Sequence, residues 1–302
     1  MGQMAELVRK YGEIIGLEEK DVKAFEDLAL LVETDPAYWK ALQDYSEGRR
    51  LPKEFLEDLK AFADERGYDD TLLYGTVILY LYDRMHDRYV EKGIPEEIFV
   101  RTAMDLKWKV NESYTVYGKP GCFVAWWYQK LFDLQVFGIG RLEFETAFYK
   151  GEDATVGGVT VREGDPVIGV HIPTTDEPFT RETCLDAYKK AYAFFGGKNG
   201  EKMIFHCSSW LLFPGIRDMV GPDSRIVDFQ NTFKILKVKD SKGGGTAWRV
   251  YGKDFQKPVE ELPEETSLQR GYKKRLMAGL PWGTAVGIFA FDGEKIWNDA
   301  EE

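Results

Sequence analysis

Glu143 and Glu145, two residues apart in GRLEFE (140–145), form a pair whose spacing suits proton transfer. In an extended strand both side chains fall on one face, and a carboxylate beside a desolvated cleft can titrate near neutrality and act as a general base. The plainer reading is a strand face with Arg141 and Glu143 in an ion pair. His171 ends the apolar run PVIGVHIP (166–173) and can serve as base, substrate ligand or structural hydrogen-bonding group. A second run, EKMIFHCSSWLLFP (201–214), carries His206, Cys207, Ser208 and Ser209 together. Neighbouring His206 and Cys207 point to opposite faces of a strand and make no local pair. Cys207 meeting His171 across adjacent strands would have the geometry of a thiol nucleophile; as a buried cysteine it is simply a small hydrophobe. Ser208 can donate to an oxyanion or a leaving thiolate, and Ser208 or Ser209 can equally cap a helix starting at Trp210.

These groups need a frame. Between the two runs lie TTDEPF (174–179) and TRETCLDAYKKAYAFFGG (180–197), so the order is strand, loop, helix, strand. Such a unit requires parallel strands joined by a crossover. It carries the ends of both strands, His171 and the His206–Ser209 run, to the edge where ligands of open α/β sheets bind.

Composition limits the function classes. The 302 residues are 44% hydrophobic and 14% aromatic, enough for a core and for two domains. A net charge of −11 argues against a nucleic-acid-binding protein, which needs a basic face, and does not suggest docking on anionic lipid. The three cysteines, at 122, 184 and 207, make no disulfide framework and no metal pair, and three histidines without a nearby second pair give no metal site. The N-terminus has no apolar leader, and the most apolar run, Leu72 to Tyr82, is about half a membrane span. A protein of the reducing cytoplasm is expected.

Residues 1–136 read as helix. Asp35-Pro36 and Leu51-Pro52 start helices, Val22, Phe25, Leu28 and Val32 mark one apolar face, and Asp70–Glu91 is the strongest helix, closed by Gly93. Pro95-Glu96-Glu97 opens another, and the aromatic-rich 121–134 reads as a packed helix. His86 in YDRMHDR reads as a solvated helix face. From Phe137 the period becomes two, with Arg141, Glu143 and Glu145 on one face of a strand. Val159–Val161 is a short strand, Asn231–Lys239 and Ala247–Tyr251 form a hairpin about Ser241–Gly245, Glu264–Ala278 is a last helix and Thr284–Phe291 is extended. The expected class is α+β: a helical domain over 1–136, then a mixed-sheet domain over 137–302.

GRLEFE (140–145), VHIP (170–173), FTRETCLDAY (179–188), CSSWLLFPGIRDMV (207–220), SRIVDFQNTFKI (224–235) and LQRGYKKRL (268–276) together resemble a bacterial family. Its members have an N-terminal helical acyltransferase-associated domain and a C-terminal domain similar to the GCN5-related N-acetyltransferases (GNAT-like). The resemblance implies a GNAT-like fold and an acyltransferase using acyl-CoA or acetyl-CoA, without a metal, on an amine of a small molecule or peptide. It implies that strands 167–172 and 203–208 splay to admit the pantetheine arm, and that the helix starting near Thr180 points at the pyrophosphate. Contacts to the acyl-CoA then fall to Val170, His171, Ile172, Thr180, Arg181 and Cys207. Glu143, Glu145 or His171 serves as base, and Ser208 or a nearby tyrosine protonates the leaving thiolate. The usual pyrophosphate loop, [QR]-x-x-G-x-[GA], is missing; PTTDEPFT stands there and brings Asp176 and Glu177 where phosphate would sit. That departure supplies the alternative expectation, a catalytically inactive ligand-binding or sensing protein.

Overall fold

The computed structural model describes residues 2–198, 200–241, 246–280 and 282–299. The chain divides into two compact units, with the boundary between Gly138 and Ile139.

The first unit is built from α1 (Gln3–Ile14), α2 (Glu19–Val32), α3 (Pro36–Ser46), α4 (Pro52–Arg66), α5 (Asp70–Glu91), α6 (Glu96–Ala103), α7 (Asp105–Tyr117) and α8 (Tyr128–Phe132). Their limits follow local chemistry. Asp35 accepts from the N–H groups of Ala37 and Tyr38 at 2.9 and 3.1 Å, and Pro36 takes the first helical position. Asp69 caps α5 through Leu72 N–H at 3.0 Å. Val22, Phe25, Leu28 and Val32 are all buried, as their spacing requires. The 121–134 stretch is less regular than a single helix: a 3-10 turn over Ala125–Trp127 leads into the short α8.

β1 (Val136–Ile139) crosses the boundary, and the chain turns at Gly140, whose φ of 59° favours glycine. A Cβ there would also stand 3.2 Å from Ala187 Cα. The strand expected to run on from Phe137 is therefore two strands, because this turn interrupts it. The second unit continues with β2 (Leu142–Phe148), β3 (Ala154–Val156), β4 (Val159–Val161), β5 (Pro166–His171), α9 (Arg181–Phe194), β6 (Met203–Ser209), α10 (Arg225–Gln230), β7 (Lys234–Ser241), α11 (Ala247–Tyr251), α12 (Ser267–Met277), β8 (Trp282–Phe291) and β9 (Ile296–Trp297).

The strand order is β2-β5-β6-β8-β7, with β9 on β8 and a separate ribbon of β3 and β4. Only β5 and β6 in this run are parallel, and α9 makes the crossover between them. Tyr188 of α9 packs on one sheet face, against Phe144, Phe205 and Phe289 at centroid distances of 6.1, 5.8 and 4.9 Å. The ribbon's Val156 and Val161 join Val167, Ile204 and Ala290 in a second apolar cluster. The hairpin expected from Ala247–Tyr251 is not formed. β7 pairs instead with β8, and Ala247–Tyr251 is helical, with Tyr251 packed on Tyr272 and hydrogen-bonded to Gln269 O at 2.9 Å. Of the expected turn, residues 242–245 lie outside the described residues. Among the described residues no helix is long and apolar enough to cross a membrane.

Phe205 is fully buried and stacks on Phe289 at 5.0 Å. Phe205→Ala should cost about 3–5 kcal/mol in chemical denaturation, whereas Trp126→Ala, at a 66% exposed site, should change stability by less than about 1 kcal/mol.

Candidate active site

The edge formed by β5 and β6 follows from register. The two strands pair at Ile168 with Phe205 and at Gly169 with His206. Past those positions each strand continues on its other neighbour. β5 stays paired with β2 through Glu143 and His171, and β6 stays paired with β8 through Ser209 and Ala285. The parallel pair therefore parts after Gly169 and His206 while both strands remain extended. Val170, His171, Cys207 and Ser208 follow the last paired positions, and no β5–β6 pairing is described beyond Gly169 and His206. Ile172 lies just beyond the end of β5.

Alternation along the strands sorts the candidate side chains. Glu145 is opposite Gly169 and Glu143 is opposite His171, so both glutamates and His171 share one sheet face with His206 and Ser208. Val170, Phe205 and Cys207 belong to the other face, beneath α9. His171 Nε2 and Glu145 Oε2 are 2.8 Å apart, the Glu145 side chain being 15% exposed and that of His171 32%. With the carboxylate accepting from Nε2–H, the neutral imidazole carries its lone pair on Nδ1. Glu143 is buried. His206 stands edge-on to Tyr149 at 6.2 Å; burial pushes its imidazole below the ordinary 6.5, the nearby His171 acts the same way, and Glu145 opposes both. Glu145, His171 and His206 thus form one electrostatic cluster, where the residues alone left Glu143, Glu145 and His171 as alternatives.

The 173–180 connection is held by a residue that sequence reasoning placed elsewhere. Arg141 is not displayed along a strand with the glutamates. It sits at the β1–β2 turn, is 6% exposed, and donates to Pro173 O at 2.9 Å and Glu177 O at 3.1 Å, with its guanidinium over the Phe179 ring at 5.3 Å. An arginine after a glycine carries no signal for a contact more than thirty residues away. Thr180 caps α9, exchanging bonds with Thr183 at 3.1 and 3.3 Å. Glu182 in the first turn has its carboxyl held below the usual range by its own backbone N–H and by the Thr180 hydroxyl. An anion of the chain itself thus occupies part of that terminus. Arg181, Asp176 and Glu177 are exposed beside it.

Cys207 does not meet His171. It is 1% exposed on the α9 face, and burial pushes its thiol far up. Of the two serines, Ser209 is the cap, accepting from Leu211 N–H at 3.1 Å, while Ser208 is exposed. No group of three or more histidine, cysteine or carboxylate side chains that could hold a metal is found among the described residues.

Residues 136–289 match the family described as GNAT-like C-terminal domain, and residues 6–134 match the N-acyltransferase N-terminal domain. No curated protein is significantly similar. Among solved structures, an acyltransferase in complex with decanoyl-CoA and teicoplanin is 21% identical with a TM-score of 0.71, over 93% of this chain and 86% of that one. An acyltransferase mutant in complex with octanoyl-CoA is also 21% identical, with a TM-score of 0.70 over 94% and 87%. At this identity the likeness shows a shared fold.

Burial also raises the thiols of Cys122, to about 12, and of Cys184, to about 11. Native protein treated with iodoacetamide at neutral pH should therefore show no labelled cysteine by mass spectrometry, and protein unfolded in urea should show three. Fast native labelling of Cys207 would restore it as a nucleophile.

Proposed function

Because the chain belongs to the acyltransferase family in which an N-acyltransferase N-terminal domain precedes a GNAT-like C-terminal domain, we propose that it transfers an acyl group from acyl-CoA to an amine of a small molecule or peptide. The helical domain spans 1–136 and the GNAT-like domain 137–302 in this reading. The observation that carries it is the parting of β5 and β6 after Gly169 and His206. A pantetheine arm laid in that opening completes the interrupted strand pairing, since its amides can bond to the backbone at Val170 and Ile172 on one side and Ser208 on the other.

The thioester carbonyl then lies near the end of β5, where backbone N–H groups polarise it. The amine nitrogen forms a bond to the carbonyl carbon and the C–S bond breaks. The proton leaving nitrogen goes to His171 Nδ1, with Glu145 at 2.8 Å stabilising the imidazolium. Glu143 adds a second negative charge on the same face. Ser208 donates to the leaving CoA thiolate and relays to it the proton held on the His171 imidazolium, which restores the neutral imidazole. Thr180 and Arg181 at the start of α9 take the pyrophosphate, Arg181 supplying the positive charge. The solved acyltransferases of this fold hold decanoyl-CoA and octanoyl-CoA, and one holds teicoplanin, which supports an acyl-CoA donor and a small-molecule acceptor. Three free, buried cysteines suit a reducing cytoplasm.

A second reading rests on Asp176, Glu177 and Glu182, three carboxylates around the α9 terminus that work against a pyrophosphate. In that reading the edge binds a ligand and no turnover follows.

Calorimetry with octanoyl-CoA, followed by thiol release in the presence of an amine panel, tests the proposal. Wild type should bind and release CoA. Glu145→Gln and His171→Asn should keep affinity within a few fold and lose about 10²–10⁴-fold in turnover. Binding without release by wild type favours the second reading, and no heat across a panel of acyl-CoAs overturns both.

A further inference from the structure

The first unit contains a cleft that the acyl-transfer reading does not use. Its main body, about 310 Å³, lies between the end of α3, the start of α4, one face of α5 and α8. A narrow apolar extension of about 30 Å³ continues from it past Phe55 and Val77, sharing Tyr45, Leu81 and Phe132 with the main body. Interiors pack with few voids larger than a water, and this volume falls at the lower end of the range for small-molecule sites.

The charges are arranged by helix geometry. Leu81, Arg84, Met85 and Arg88 follow the i, i+3, i+4, i+7 pattern on α5, so two guanidiniums stand one turn apart beside two apolar side chains. With Arg50 the cleft has three guanidiniums against the carboxylates of Glu47 and Asp133. Arg50 is engaged by Asp58, Glu47 by Arg49, and one arm of Arg88 by Phe132 O. Arg84 is exposed and has no ion pair among the described residues. In a chain of net charge −11 this is a local excess of positive charge with one uncommitted guanidinium, whose forked donors fit a carboxylate. The wall is fixed beforehand: Tyr45 stacks on Phe55 at 4.0 Å with 10° between the rings, and its hydroxyl donates to Gln129.

We propose that this cleft binds a monocarboxylate with a slender apolar body, of the chemical class of a medium-chain fatty acid. The carboxylate lies on Arg84 and Arg88, and the chain runs along Leu81 and Met85 toward the apolar extension. A main body of about 310 Å³, at the lower end of the range for small-molecule sites, suits a short chain such as octanoate better than a larger ligand. The narrow extension admits a methylene chain and excludes a ring system.

Titration of the full chain with octanoate, 1-octanol and octylamine, followed by calorimetry and tryptophan fluorescence, tests this, because exposed Trp126 borders the extension. Octanoate should bind, 1-octanol about tenfold more weakly, and octylamine not at all. Arg84→Gln, at an exposed position, should weaken octanoate about tenfold and leave 1-octanol unchanged. Leu56→Trp, a half-buried position in the extension, should remove binding of both. Neither variant should alter octanoyl-CoA turnover, which separates this site from the acyl-transfer reading. Absence of octanoate binding, equal binding of octylamine, or an octanoate affinity unchanged in both variants overturns the proposal.

Discussion

Backbone hydrogen bonding at the β5–β6 junction is the constraint on which the second unit depends. Parallel strands need a crossover, and α9 supplies it by burying Tyr188 among Phe144, Phe205 and Phe289. That packing fixes β5 and β6 side by side at Ile168 and Phe205. Beyond Gly169 and His206 the partners change: β2 retains β5 and β8 retains β6. Each strand is held extended past that point by the antiparallel pairing on its other side. The opening is therefore held from both flanks, and unpaired backbone groups are its main resource.

The side chains around this opening divide by strand parity. One face is hydrocarbon and takes Cys207 out of chemistry. The other gathers Glu143, Glu145, His171 and His206, and burial there pushes the His206 imidazole below its ordinary value. A single hydrogen bond, Glu145 to His171 at 2.8 Å, chooses the imidazole tautomer. Arg141 works at a distance from that pair: by donating to Pro173 O and Glu177 O it gives the 173–180 connection one shape, and with it the start of α9. The anionic residues of this connection, together with Glu182, distinguish it from a glycine-rich phosphate loop.

Much of this was legible in the residues. Proline at the first helical position located α3 and α4, because that signal is local: Asp35 bonds within three residues. Apolar runs located β5 and β6, and their order required the parallel crossover. What failed was non-local. AWRVY has strand-like composition, yet Tyr251 packs as part of a helix against Tyr272, a residue more than twenty positions on. Arg141 looked like a strand residue because nothing in GIGRLEFE announces a tight turn beyond its glycines. The His171–Cys207 pairing failed on parity, which needs the register of two strands distant in sequence. The same register joined Glu145 to His171.

The central claim is that acyl-CoA occupies the gap between β5 and β6. Hydrogen–deuterium exchange with and without octanoyl-CoA addresses it directly, since a ligand that completes strand pairing slows exchange of the amides it bonds. The account predicts new protection concentrated over Val170–Ile172 and Cys207–Ser209, with the already paired β8 unchanged. Saturating octanoyl-CoA that leaves those amides exchanging at their free rate, while protecting residues elsewhere, would contradict it.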